Sequence, residues 1–364
     1  MAAPYSRPVL CRLPLALLAY AQVGYPLLLA AWARLARPAP LDEPPARDTP
    51  PVSLVIAAHD EEAVIARKVE NALALDYPEL EVIVACDGCT DRTAARAREA
   101  GAHVVLELPR GGKIRAQDAG VERASHGIVA FSDANAALAP DALRELVAPF
   151  ADARVGYVCG RVEFVNEEGT NQEGLYWRYE MAIRGWESRL ASVTGGNGAL
   201  YATRREAYLV VDPVMGHDLS FPFNLVRRGW RCVYRPGAGA TEKMVPSIEG
   251  EWARKRRMMS HAWPIVLRGG LLDPRGWPPR YALMIASHRW LRYAGPFLHL
   301  LSLRSRASRA LHLPLLVAAA APARARPFLV ARYYVLTQAS IAFGLYDWLR
   351  HGTEAGWEQA EGTR

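Results

Sequence analysis

Acidic side chains follow three predicted strands at the point where each strand ends. The strands and their polar ends are Val52 to Ala57 with Glu61, Glu81 to Cys86 with Asp87, and Ile128 to Ser132 with Asp133 and Asn135. The carboxyl ends of parallel strands meet at one edge of an open α/β sheet, where ligands bind. Carboxylates that converge there repel one another unless a cation offsets their charge. The pattern predicts a site for a divalent metal and a nucleotide; a plain turn is the alternative for Asp133 and Asn135.

The elements that must position these side chains are short strands alternating with amphipathic helices. A further apolar run, His103 to Glu107, reads as a strand between the second and third of those above. Strands of this length that alternate with helical patterns are typical of a parallel α/β sheet. We therefore predict one α/β catalytic domain, between about Pro51 and Ala240.

Apolar segments flank that domain on both sides. Leu13 to Trp32 contains no charged residue and is long enough to cross a bilayer, which predicts a transmembrane helix. A cleaved signal peptide is the alternative, although its apolar core is usually shorter. Arg34 and Arg37 follow the segment and indicate that the next part of the chain faces the cytoplasm.

The C-terminal region is apolar again, with arginine clusters between its runs. These runs are Tyr281 to Leu303, Ala310 to Ala321 and Phe328 to Leu349. Because the middle run is too short to span comfortably, we expect one or two spans together with an interfacial helix. The predicted organisation is an anchor at 1–37, a linker at 38–51, the catalytic domain at 52–240, a basic amphipathic segment closing the site at 241–280, membrane-associated helices at 281–350 and a polar tail at 351–364.

Charge and cysteine usage narrow the partners and the compartment. The formal net charge is +7, and many arginines flank the apolar runs, as expected at the cytoplasmic side of a membrane. No nucleic-acid motif accompanies this charge, so nucleic acid is not a predicted partner. The five cysteines lack the spacing of a disulfide framework. Cys86 and Cys89 form a C-x-x-C pair without a second ligand pair, and we interpret them as structural.

The ordered motifs of the predicted domain resemble family 2 glycosyltransferases of the GT-A type, which include cellulose and hyaluronan synthases. The resemblance runs from about Val52 to Phe297 and is carried by Val-Ile-Ala-Ala-His-Asp-Glu-Glu from Val55, Asp-Gly-Cys-Thr-Asp from Asp87, Gly-Gly-Lys from Gly111, Asp-Ala-Asn from Asp133 and Gly-Gly-Asn-Gly-Ala-Leu-Tyr-Ala from Gly195. Further segments resemble a bacterial branch associated with exopolysaccharide or capsule building: Tyr176 to Glu180, Glu187-Ser188 and Ser287 to Arg292.

The resemblance implies roles for the residues at the strand ends. Glu61 and Asp87 would contact the nucleoside, and Lys113 would lie beside them. Asp133 would bind a metal that bridges the donor diphosphate, and Mg²⁺ or Mn²⁺ is expected because oxygen ligands favour hard cations. Asn135 departs from the usual D-x-D pattern, since its amide can coordinate the metal but carries no charge.

The same resemblance implies that Asp218 is the general base, at the start of a helical pattern from Leu219 to Arg228. His217 stands where relatives often have a second acidic residue, and we expect its imidazole on the acceptor side, where it would help to orient the acceptor. A helix cap is the alternative role for Asp218. Gly196 and Asn197 lie in a loop that would approach the sugar or the acceptor, with a tight turn as the alternative.

A basic segment, Trp252 to Met258, occupies the place of the family's Q-x-x-R-W signature. Arg254 replaces the glutamine, Arg257 matches the arginine and Met258 replaces the tryptophan. The guanidinium groups of Arg254 and Arg257 would hold the diphosphate, or else face a membrane surface. Because the missing tryptophan belongs to the acceptor platform of processive synthases, its loss favours the transfer of one sugar per encounter.

The function that the resemblance implies is inverting transfer from a nucleotide-diphosphate sugar to a membrane-associated glycan or lipid-linked acceptor. We expect a UDP-sugar donor, a multi-pass protein of the inner membrane with its catalytic domain in the cytoplasm, and partners in polysaccharide assembly. Two alternatives stay open: a polyprenyl-phosphate sugar synthase, whose ionised acceptor needs no general base, and an inactive scaffold that keeps only the fold.

Overall fold

The computed structural model describes residues 6–36, 49–165, 172–245, 247–322 and 325–355. At its centre is an eight-stranded sheet with the order β3-β2-β1-β4-β7-β6-β8-β5. The strands are β1 Val52–Ala58, β2 Leu80–Asp87, β3 Val104–Leu108, β4 Ile128–Asp133, β5 Ala137–Leu138, β6 Val155–Val165, β7 Leu200–Arg204 and β8 Arg231–Lys243. Most of the predicted linker and the end of the polar tail lie outside the described residues.

Helices cover both faces of this sheet and form an additional layer on one side of it. They are α1 Ser6–Ala19, α2 Tyr25–Leu35, α3 Ile65–Leu73, α4 Thr93–Glu99, α5 Lys113–Arg123, α6 Ala142–Val147, α7 Gln172–Leu190, α8 His217–Arg227, α9 Ile248–Leu267, α10 Pro279–Met284, α11 Leu291–Ser302, α12 Arg306–Ala320 and α13 Arg326–His351. A π-helical turn, Tyr20–Gly24, joins α1 to α2, and another, Ile285–Trp290, joins α10 to α11.

The four predicted strands form the parallel half of the sheet. Val52 of β1 is paired with Leu80 of β2 on one side and with Ile128 of β4 on the other. Every residue of β1 is buried, because helices cover both of its faces. This double burial explains why the strand reads as a continuous apolar run and why its position could be predicted.

The other half of the sheet is mixed, and the prediction of a parallel sheet did not include it. β7 runs antiparallel to β4, with Ser132 opposite Leu200. β6 pairs antiparallel with β7 and parallel with β8, and β8 continues past residue 240 to Lys243. The antiparallel pairing matters for the site, because it brings the chain that precedes β7 beside the end of β4.

The N-terminal and C-terminal helices pack together on the catalytic domain. By length and composition, two helical segments of the described residues could cross a membrane, Arg12–Leu35 and Arg326–His351. Most of the exposed large apolar side chains belong to this helical layer. They are Leu13, Val23, Leu27, Leu28, Leu35, Leu283, Phe297, Leu300, Leu301, Leu311, Leu313, Leu316, Val317, Val330, Phe343, Tyr346 and Leu349.

The two candidate spans also carry polar contacts to the domain. In α2, the Tyr25 hydroxyl donates to Glu187 Oε1 of α7 at 2.8 Å. In α13, Asp347 pairs with Arg256 of α9, and Gly344 lies against the α9 backbone at Met259. Both segments are therefore docked on the catalytic domain along one side of each helix.

Candidate active site

Asp87, at the end of β2, organises the loop that precedes α5. Its carboxylate is 1% exposed and accepts from the Gly111 N–H at 2.6 Å and from the Gly112 N–H at 2.9 Å. Gly112 has a φ of 93°, which only glycine adopts without strain. Asp87 and the Gly-Gly sequence thus form one structural unit, and this unit places Lys113 at the first position of α5.

Lys113 forms an ion pair with Asp133, which ends β4. Both side chains are about a quarter exposed, so the pair lies at the wall of the site and not in the core. Asn135 lies two residues further along the same turn and is half-buried. The structure therefore brings together Asp87, Lys113, Asp133 and Asn135 at the carboxyl edge of the parallel strands, as the sequence predicts.

Glu61 lies next to this group, just after β1. The residue is 4% exposed, and its backbone N–H donates to Thr93 Oγ1 at 2.7 Å. Its backbone oxygen accepts from the Val64 and Ile65 N–H groups at the start of α3. Glu61 therefore sits in the wall between the β1 and β2 loops, at the edge where it was predicted.

Lys68 is part of the site, although the sequence interpretation did not include it. Its Nζ donates to Ser132 Oγ and to the Ala136 backbone oxygen, both at 2.7 Å. These two hydrogen bonds hold the turn that carries Asp133. Burial lowers the pKa of Lys68 to about 7, against the opposing effect of Asp133. A signal for this position exists in the sequence, because Lys68 falls on the apolar face of α3.

Asp218, in the first turn of α8, faces the same rim from the mixed half of the sheet. Its backbone oxygen accepts from the Gly196 N–H at 2.6 Å, which ties α8 to the loop before β7. The residue at the N-cap of α8 is Gly216, and no side chain caps the helix. Within the described residues, the alternative role of Asp218 as a helix cap therefore has no supporting hydrogen bond, and the residue is half-buried.

The loop before β7, residues 194–198, is held by charged side chains that the sequence interpretation did not select as site residues. Arg184 donates to the Gly196 backbone oxygen at 2.7 Å. Arg289 donates from Nε to Thr194 Oγ1 at 2.9 Å. Glu187, which is fully buried, accepts from the same Thr194 hydroxyl at 2.9 Å. These contacts connect the rim to α7 and to the π-helical turn before α11.

Within this loop, Gly196 and Asn197 have a structural explanation that differs from the predicted contact with a sugar. A Cβ atom at Gly196 would collide with the hydroxyl of Tyr157. The Asn197 side chain donates to the Gly160 backbone oxygen at 2.5 Å and accepts from the Leu200 N–H at 2.9 Å. Close packing against the sheet therefore accounts for both residues, whereas Gly198 faces Lys113 Nζ across the site.

His217 lies behind the rim and not on the acceptor side, where the sequence interpretation put it. The side chain is buried in an aromatic cluster, with its ring 4.0 Å from that of Phe221 and its Nδ1 2.8 Å from the Tyr201 hydroxyl. Burial and then the charge of Lys113 lower the pKa of His217 to about 3. The imidazole is therefore neutral near pH 7 and supplies no positive charge to its neighbours.

Arg254 and Arg257 lie on α9, which follows the last strand. Arg254 donates to both carboxylate oxygens of Glu251, at 2.8 and 3.0 Å, and its guanidinium lies 5.9 Å from the ring centre of Phe164. Arg257 lies nearly one turn further along α9 and is half-buried. The Arg254 guanidinium is thus oriented by Glu251 before any ligand binds.

Electrostatic effects connect the two halves of the rim. Burial, followed by the charges of Asp133 and Asp218, raises the pKa of the Tyr201 hydroxyl well above its ordinary value. Asp133 and Asp218 both act on this buried hydroxyl, so both lie in its neighbourhood. The loop before β7 joins the two halves, because Gly198 faces Lys113 Nζ and the Gly196 N–H donates to the Asp218 backbone oxygen.

Comparison with known proteins agrees with this arrangement of motifs. The profile of the family described as glycosyltransferase-like family 2 matches residues 50–260, more than half of the chain. The chain belongs to this family. Among the solved structures, the mannosyltransferase PcManGT from Pyrobaculum calidifontis, in complex with GDP-Man and Mn²⁺, is similar with a TM-score of 0.74 and 23% identity. The alignment covers 94% of this chain and 99% of that one, and it shows the shared GT-A fold.

Two curated relatives of this family 2 protein align with it over only part of their own length. The poly-beta-1,6-N-acetyl-D-glucosamine synthase of Staphylococcus aureus is 24% identical over 229 residues, covering 60% of this chain and 56% of the relative. The beta-monoglucosyldiacylglycerol synthase of Synechocystis is 29% identical over 259 residues, covering 64% of this chain and 53% of the relative. The chain spans a little over half the length of these relatives.

Proposed function

We propose that this protein is an inverting glycosyltransferase that moves one sugar from a nucleotide-diphosphate donor to a hydroxyl group presented at a membrane surface. The observation that carries this proposal is the loop before β7, which faces Lys113 on the predicted donor side and binds the backbone oxygen of Asp218, the predicted base. Belonging to family 2 supports the reaction class.

The donor would bind along the parallel half of the rim. Asp87 and Glu61 would contact the nucleoside, and Lys113, Arg254 and Arg257 would neutralise the diphosphate. Asp133 and Asn135 fit a divalent cation, because they present a carboxylate and an amide oxygen from one turn, the ligand types preferred by Mg²⁺ and Mn²⁺. When bound, such an ion stabilises the negative charge that develops on the leaving diphosphate.

Asp218 would act as the general base in a single displacement. Its carboxylate takes the proton from the acceptor hydroxyl while that oxygen forms a bond to the anomeric carbon. The bond from the same carbon to the diphosphate oxygen breaks on the opposite face, so the configuration inverts. The Gly196 contact holds the α8 turn, and thereby the base, against the loop before β7.

The acceptor would reach the site from the bilayer. The exposed apolar side chains of the helical layer form a surface suited to lipid. This layer reaches the loop before β7 directly through Arg289 and indirectly through Tyr25 of α2, which donates to Glu187. The relatives named above make a polysaccharide and a glycolipid, which supports a lipid-linked or glycan acceptor. Met258, in place of the tryptophan of processive enzymes, supports a single transfer.

The N-terminal helical segment would be the membrane anchor. Arg12–Leu35 and α13 are both long and apolar enough to span, but α13 carries the charged Asp347, which pairs with Arg256 at the domain surface. We propose an inner-membrane protein with its catalytic domain in the cytoplasm, anchored by the N-terminal helix and with α12 and α13 at the interface.

The test is incubation of membranes containing the protein with a panel of labelled UDP- and GDP-sugars plus Mn²⁺, followed by identification of the labelled product. Transfer to a hydroxyl that is lost in Asp218→Asn supports the proposal. Transfer to a polyprenyl phosphate that survives Asp218→Asn would replace it with the lipid-phosphate synthase. Failure to bind any of the donors in calorimetric titration would identify an inactive scaffold.

A further inference from the structure

Glu242 lies near the end of β8, directly beside the turn that carries Asp133 and Asn135. Thr241 is paired with Ala137 of β5, and β5 begins immediately after this turn. Glu242 is the next residue of β8 and is paired with Phe164 on the other side. The short β5–β8 ladder therefore fixes the distance between the Glu242 backbone and the metal-binding turn.

Glu242 is half-buried, and one oxygen of its carboxylate lacks a hydrogen-bond donor within the described residues. Its Oε1 is buried and accepts no hydrogen bond from any residue that the structure describes. Lys68, the buried cation in its surroundings, directs its donors to Ser132 and to the Ala136 backbone instead. A buried carboxylate oxygen without a donor is costly, so its retention indicates a partner that the polypeptide does not supply.

The charges around Glu242 indicate the kind of partner. Among the charged groups that act on it, Asp133 has the largest effect and repels it, while Lys113, Arg254 and Lys68 attract it. Two neighbouring carboxylates bind a divalent cation well, because the cation offsets the repulsion between them. A divalent ion also needs several oxygen ligands, and Asn135 contributes no charge to the set.

We propose that Glu242 is a ligand of the divalent metal and supplies the second negative charge of the site, which Asn135 does not carry. This inference rests on the proposed function in that it assigns a residue to the same donor site. It nevertheless concerns metal affinity, which can be measured without a sugar nucleotide and without turnover.

The first experiment measures binding of Mn²⁺ alone to the full chain in detergent, from the electron paramagnetic resonance signal of free Mn²⁺. Glu242→Gln should weaken binding by about tenfold or more, because it removes a charged ligand while keeping the side-chain shape. The matched control is Glu163→Gln. Glu163 lies opposite Thr241 on β6 and is exposed in an ion pair with Arg161, so its variant should bind Mn²⁺ like the wild type.

The second experiment moves the charge between the two positions. Asn135→Asp alone should tighten Mn²⁺ binding, and Asn135→Asp combined with Glu242→Gln should return the affinity to within about threefold of the wild type. Wild-type affinity in Glu242→Gln, or no recovery in the double variant, would overturn the proposal.

A purely structural role has its own signature. If Glu242 only balances Lys68, then Lys68→Met should restore the thermal stability of Glu242→Gln, and both variants should bind Mn²⁺ like the wild type. If Glu242→Gln does not fold, Glu242→Asp keeps the charge on a shorter stem, and weaker Mn²⁺ binding at wild-type stability is the supporting result. If the wild-type protein transfers no sugar while its Mn²⁺ binding still depends on Glu242, the proposed function is contradicted and the assignment of Glu242 as a metal ligand stands.

Discussion

The two halves of the rim are built in different ways. In the parallel half, Asp87 and Asp133 follow directly from strands, and their partners Gly111, Gly112 and Lys113 belong to one short segment. In the mixed half, Asp218 lies on a helix and is tied to a loop whose own supports come from α7 and from the turn before α11.

This difference has a physical consequence. The parallel half is a local structure, so a change there should affect donor binding without disturbing the rest of the fold. The mixed half depends on buried charges from segments about 100 residues apart, as in the contact between Glu187 and His288. Substitutions far from the reacting groups should therefore affect the acceptor side of the site. Tyr25 of the N-terminal helix is one such position, because its hydroxyl donates to Glu187.

The sharpest separation of the two halves is expected from Asp218→Asn. Turnover should fall by about a thousandfold, because the amide cannot take the acceptor proton. Donor affinity, measured by calorimetry, should stay within about twofold of the wild type. Glu206→Gln, at an exposed position after β7, is the control. A comparable loss of donor affinity in Asp218→Asn would contradict the separation.

Glu187→Ala should show that the mixed half depends on buried charge. Burial raises the pKa of Glu187, but the neighbouring His288 and Arg289 outweigh this effect and hold it below its ordinary value. Removing the carboxylate leaves the Tyr25 and Thr194 hydroxyls without their acceptor and takes away the buried negative charge near Arg289, so the free energy of unfolding should fall by about 3 kcal/mol. Urea unfolding of the detergent-solubilised protein measures this.

A companion variant checks how far this effect extends. Tyr25→Phe removes one hydrogen bond to Glu187 from the N-terminal helix, and it should cost about 1 kcal/mol of the free energy of unfolding. Equal stability of Glu187→Ala and the wild type would show that the mixed half does not depend on this network.

Lys113→Met tests whether the parallel half acts locally. The variant loses the cation that pairs with Asp133, so the affinity for a nucleoside diphosphate should fall by about tenfold, while the KM for the acceptor should remain unchanged. Arg115→Met, two residues further along α5 at an exposed position, is the matched control. An altered acceptor KM in Lys113→Met alone would show that the two halves are coupled.

The smallest effect is a pH dependence of stability from His217. Its pKa is about 3 in the folded protein and about 6.5 in the unfolded chain, so the unfolded state binds the additional proton between these values. The free energy of unfolding should therefore fall as the pH falls below about 6.5. Comparison with His217→Phe between pH 7 and 5.5 should show a decrease of about 1 kcal/mol in the wild type only. Parallel pH profiles would contradict the buried, neutral imidazole.

The sequence by itself was sufficient for the parallel half of the molecule. The strands β1, β2 and β4 are buried over most of their length, so each reads as an apolar run, and the residue at the end of each run lies at the ligand edge. Asp87 and Asp133 could be selected for that reason, whereas Lys113 and the GT-A fold came from the resemblance of the ordered motifs to family 2 glycosyltransferases.

Only the tertiary structure decided the mixed half. Glu242 belongs to a strand whose local pattern gives no reason to select it, and it comes beside the Asp133 turn only because β8 pairs with β5. His217 adjoins Asp218 in sequence, yet the helix turns its imidazole into the aromatic core. The burial and charge pairing of such residues depend on segments brought together by folding, and no local spacing in the chain encodes them.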